Sequence, residues 1–127
     1  MWNLRYAYFP TILIDILSSS SNPAFTLLLS MENWNVLPPR ATILSLDLKR
    51  ILTPNEVPGA IEDPDKPVNH IVGFQNNPRV WFCSPGFYEY HEYYPEDRWE
   101  LIRETDQGKI TWIVNHACDM IDRPKLR

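Results

Sequence analysis

Twelve prolines interrupt this chain of 127 residues, and they fall in clusters. Proline fixes its own φ, has no N–H to donate and pushes the preceding residue away from helical backbone, so each cluster ends a regular element. The breaks at residues 18–23 (SSSSNP), at Pro38 and Pro39, and at residues 53–67 (TPNEVPGAIEDPDKP) confine the intervening segments to short elements. The last of these breaks is acidic and poor in large apolar side chains, which predicts a mobile surface connection. No internal repeat is present.

Between the breaks the pattern is first that of strands. Residues 25–31 (FTLLLSM) and 41–48 (ATILSLDL) are short aliphatic runs joined by a proline-containing connection, which predicts an antiparallel meander. Residues 70–74 and Val80–Cys83 read as two further strands. Residues 10–17 suit either a short helix with Pro10 in its first turn or a strand. The period then changes: within residues 109–122, Ile110, Ile113, Val114, Ala117 and Ile121 form the stripe of an amphipathic helix that begins after Gly108 and ends before Pro124. The expected fold class is α+β, an antiparallel β-meander with a C-terminal helix packed on one face. A hydrophobic content of 44% supplies a core for a single domain over residues 1–127.

Charge narrows the function classes. The net charge is −4 and the lysines and arginines are scattered along the chain, so no basic stripe exists to neutralise phosphates, and nucleic acid is not an expected partner. No run approaches the ~20 apolar residues of a membrane span. Asp15 interrupts the short apolar run near the N-terminus, which argues against an export signal and for a cytoplasmic location with Cys83 and Cys118 reduced.

The candidate site lies in residues 83–91, where Cys83, Glu89 and His91 supply three chemically different metal-ligand types among aromatic rings. Zinc accepts all three donors. Gly86 provides a turn after the strand, and an extended segment beyond it would direct Glu89 and His91 to one side and Tyr90 to the other. His116 on the C-terminal helix and His70 at the head of an earlier strand compete as fourth ligand. Taken singly, Cys83 and Cys118 are explained by burial, and the tyrosines around Glu89 by packing with polar tips. Residues 95–97 read as a turn.

The run C-S-P-G-F-Y-E-Y-H, followed by E-D-R-W-E-L and by a helix bearing His116, resembles a bacterial family of metal-binding domains named for a Cys, Glu, His, His set and associated with ubiquitin-like conjugation systems. The resemblance covers about the last third of the chain. It implies Cys83, Glu89, His91 and His116 as ligands, in that order, and sets His70 aside. The stretch P-R-V-W-F-C-S-P with the later Tyr88-Glu89-Tyr90-His91 is also similar to a passage of ubiquitin-conjugating (UBC) domains and their RWD relatives. Those enzymes carry a thioester-forming cysteine several residues after the histidine, and this chain has none between Ser84 and Ala117, so conjugating activity is not expected.

These readings imply a zinc-binding, non-catalytic accessory of a bacterial ubiquitin-like pathway, with a protein of that pathway as partner. Two alternatives stand beside it. One is a zinc-dependent hydrolase in which Cys83, His91 and His116 hold the metal and Glu89 acts as general base. The other is a metal-free protein-interaction domain that uses its aromatic surface.

Overall fold

The computed structural model describes residues 1–62, 65, 67–73 and 79–121. Four strands open the fold: β1 (Trp2–Tyr8), β2 (Thr11–Leu17), β3 (Pro23–Ser30) and β4 (Arg40–Leu44), each paired antiparallel with its sequence neighbours. Residues 11–17 are therefore a strand, which the β-branched run Thr11, Ile12 and Ile14 favours. β1 was not anticipated from the sequence, because its side chains are exposed or half-buried along its whole length and no apolar alternation marks it. β4 stops at Leu44, earlier than the sequence suggests, where Ser45 and Asp47 begin a turn closed by their 2.6 Å side-chain hydrogen bond.

A second sheet is built from β5 (Ala60–Ile61), β6 (His70–Gly73) and β7 (Val80–Cys83), with β5 parallel and β7 antiparallel to the central β6. The proline-rich stretch expected to be a mobile connection is thus structured in part. It carries a 3-10 turn at Pro54–Glu56, strand β5, and Val57 buried in the core. Three helices follow: α1 (Tyr88–Tyr93), α2 (Trp99–Ile102) and α3 (Ile110–Met120). The expected ends at Phe74 and Asp122, and Pro78 before β7, lie outside the described residues.

The core follows from the strand register. Ile14 and Ile16 of β2 oppose Leu27 and Phe25 of β3, and Leu27 and Leu29 oppose Ile43 and Ala41 of β4. These residues share one buried cluster with Ile113, Val114 and Ala117 of α3, so the helix stripe read from the sequence covers one face of the meander. Each fully buried aliphatic side chain contributes about 1.5–3 kcal/mol through transfer from water. Gly86 lets the turn after β7 sit against this helix, since a Cβ there would come within 2.7 Å of Ile113 Cγ1. The fold class is mixed α+β.

Candidate functional site

The expected ligand residues occupy separate environments. Cys83 ends β7 opposite His70 and is fully buried with Val72 and Tyr90, flanked by Trp81 and Tyr94. Burial pushes its thiol up to about 11, which disfavours the thiolate that ligates metal. It forms no disulfide with Cys118, which is buried on the core side of α3.

The segment after Gly86 is helical, and this corrects the expectation of an extended strand. Phe87 and Tyr90 are buried and Tyr94 is half-buried against the Cys83 cluster, a spacing of three and four that suits a helix. On a helix Glu89 and His91 point about 200° apart, so they do not share a side. Tyr90, expected opposite to Glu89 and His91, packs against Cys83.

Glu89 faces β4, where its Oε1 accepts a 3.4 Å hydrogen bond from the Ala41 amide. Its Oε2 is buried with no hydrogen-bond partner among the described residues. Burial pushes the carboxyl up, against opposing contributions from its own amide, the Ala41 amide, Arg79 and Arg40. His91 faces the opposite way, and both ring nitrogens are taken: Nδ1 lies 2.7 Å from the Asp97 carbonyl oxygen and Nε2 lies 2.7 Å from that of Pro85. Carbonyl oxygens only accept, so each contact is a hydrogen bond when the ring nitrogen facing it carries the proton, and the ring sits between α1, the Pro85 turn and the loop before α2.

His116 is stacked on Trp112, with ring centroids 4.7 Å apart, and its Nε2 lies 3.1 Å from Asn69 Oδ1. Burial lowers its pKa, with Asp119 opposing. His70, the other candidate, lies 3.1 Å through Nδ1 from the Val68 carbonyl oxygen. Among the described residues no group of three or more His, Cys, Asp and Glu side chains is disposed to hold a metal ion. The described residues do not bring Cys83, Glu89 and His91 together: Glu89 and His91 lie on opposite sides of one helix, and both His91 nitrogens face backbone carbonyl oxygens. The hydrolase arrangement meets the same obstacle, because Cys83, His91 and His116 do not surround one point.

A different surface emerges from the sheet. Side chains alternate along each strand, so the residues between the core positions face away from α3. Tyr6 opposes Leu13, Leu13 opposes Leu28, and Leu28 opposes Thr42, which forms one row across all four strands. Leu13 and Leu28 are half-buried by their strand neighbours and Tyr6 is 48% exposed. None of the three belongs to either buried cluster. One flanking row is polar: Arg5 Nη1 donates to Thr26 Oγ1 at 3.1 Å and lies 3.5 Å from Asp15 Oδ1. The other contains Tyr8, Thr11, Ser30 and Arg40. An apolar centre inside a polar rim is the anatomy of a protein-binding surface. The sequence reading missed it, because Leu13 and Leu28 sit in runs that are apolar on both faces and only the register separates inner from outer positions.

A concavity of about 350 Å³ lies beside β7 and α1, lined by Arg79, Val80, Trp81, Glu89, Glu92 and Tyr93. Among the described residues no helix is long and apolar enough to cross a membrane. Compared with protein-family models and with curated proteins, the chain matches none.

Proposed function

We propose that this chain is a metal-independent protein-interaction domain that docks through the open face of its four-stranded sheet. The observation that carries this reading is the row Tyr6, Leu13 and Leu28, apolar side chains left outside the core on the face that α3 does not cover. The resemblance to UBC and RWD domains and to the family associated with ubiquitin-like systems supports a ubiquitin-like protein, or a component that handles one, as the partner. No chemistry is assigned to Cys83 or Glu89. Both are packing residues in this reading, one a buried thiol and the other a buried carboxyl.

The test is a titration of isotope-labelled protein with ubiquitin as probe, followed by amide shifts in NMR spectra. Shifts concentrated at Tyr6, Leu13, Leu28 and Thr42, and abolished by Leu28→Glu with the fold intact, are expected. Shifts confined to Trp81, Glu89 and Tyr93 would move the binding surface to the concavity beside β7. Close to one zinc per purified chain by elemental analysis would overturn metal independence.

A further inference from the structure

We infer that this chain forms a reversible two-fold dimer through β1, pairing antiparallel with β1 of a second copy about Ala7 and joining two four-stranded sheets into one of eight strands. β1 is the outer strand of its sheet, so the backbone groups on its far side are not engaged by β2. Such an edge is completed by another extended strand. The surrounding side chains are unusually apolar for an edge: Leu4 is 60%, Tyr6 48%, Tyr8 74% and Phe9 68% exposed.

Two features select a second copy as the occupant. The sequence Tyr6-Ala7-Tyr8 reads the same in both directions, and a two-fold axis requires a self-complementary surface. Antiparallel pairing centred on Ala7 sets Tyr6 of each copy opposite Tyr8 of the other, on one side of the joined sheet, as two aromatic cross-strand pairs. Charge permits the approach as well. Residues 6–9 are uncharged, and Arg5, the nearest charge, is turned onto its own sheet by the Leu46 carbonyl at 2.7 Å, Thr26 and Asp15. The bulge in β1 falls between Leu4 and Tyr6, leaving Tyr6, Ala7 and Tyr8 in regular register with Leu13, Ile12 and Thr11.

The size of the contact sets its strength. Three partly exposed rings per copy, each contributing on the order of 100 Å², cover somewhat over a third of what a standard interface buries per partner before backbone is added. A dissociation constant in the micromolar range is expected. Sedimentation of the full chain from 5 to 500 µM should show a monomer giving way to a dimer, and Tyr8→Arg should leave a folded monomer throughout.

Single cysteines supply the geometric arm, in a background where Cys83 and Cys118 are alanine and folding has been checked by circular dichroism. On the two-fold axis Ala7 meets Ala7 at about 4.5–5.5 Å between Cα atoms, inside disulfide range. Ala7→Cys should therefore give a disulfide-linked dimer under mild oxidation, whereas Tyr6→Cys and Tyr8→Cys, each facing the other position, should give at least five-fold less. A monomer at 500 µM, or equal crosslinking at all three positions, would overturn the inference. Tyr6 belongs to both surfaces, so partner docking is judged separately at Leu13 and Leu28, by ubiquitin titration of the Tyr8→Arg variant.

Discussion

Trp2 and Asn115, from opposite ends of the chain, are joined by a 2.8 Å hydrogen bond from the indole Nε1–H to the amide oxygen. The bond ties β1, the outermost strand, to the helix that covers the sheet. Asn115→Ala should cost about 0.5–1.5 kcal/mol, the usual net worth of one hydrogen bond. Thermal melting should fall by roughly 2–6 °C. Hydrogen exchange should localise the loss to β1 amides, while β2 and β3 keep their protection.

Glu89 gives a pH prediction with a definite sign. Its carboxyl is raised by burial above the ordinary 4.5, so the folded state holds the proton to higher pH than the unfolded chain does. Stability is therefore lost as pH rises above 4.5 and through the folded value. Glu89→Gln removes this loss and keeps an oxygen for the Ala41 amide. The variant should melt a few degrees higher than the wild type at pH 7 and converge with it near pH 4. A melting temperature at pH 7 that added zinc raises in the wild type and not in Glu89→Gln would restore a ligand role.

Glu56 carries the opposite sign. Its carboxylate pairs with both terminal nitrogens of Arg50, at 2.7 and 2.6 Å, and accepts from the Thr53 amide at 3.1 Å, which holds its pKa at about 2. The contribution is complete above the ordinary value of 4.5 and is lost as pH falls toward 2. The Arg50 side chain is 58% exposed and solvent screens the pair, so Glu56→Gln should cost under about 1 kcal/mol at neutral pH. An NMR titration of the carboxyl carbon reads the midpoint directly.

Thiol chemistry tests the environment of Cys83. Both cysteines are buried and the Cys83 thiol is raised by burial. Ellman's reagent at pH 8 should find well under one reactive thiol per native chain and two after denaturation. Rapid labelling of Cys83 in the native protein would contradict its buried seat beside Tyr90.

Tyr90 should matter more than its neighbours on α1. Its hydroxyl donates to the Asp97 carboxylate, and burial followed by that bond raises its pKa. Tyr90→Phe should cost about 1.5–3 kcal/mol, the range for hydrogen bonds to charged groups. Tyr93→Phe should cost much less, because that ring is 47% exposed. Urea denaturation of both variants makes the comparison.

Much of this architecture was legible where one period dominated. Ile113, Val114 and Ala117 announced a helix face, and the runs around Leu27 and Ile43 announced strands. The site was less legible for a physical reason. The segment Tyr88–His91 alternates tyrosine with Glu89 and His91, which mimics a strand, while burial of Phe87 and Tyr90 selects the helix. That choice separates Glu89 from His91. Spacing in a sequence places ligands on a common side only once the local period is known.

The meander has a consequence for biosynthesis. Its strands pair only with sequence neighbours, so β1 to β4 can form as soon as they leave the ribosome, while α3, which starts at Ile110, follows long after Leu44 ends the fourth strand. At about 5–20 residues per second the delay is roughly 3–13 s. Throughout that interval Ile14, Leu27, Leu29 and Ile43 lack their helical cover. A nascent chain of this kind is a natural client for chaperones that shield apolar sheet surface, and truncation before α3 should leave that surface permanently uncovered.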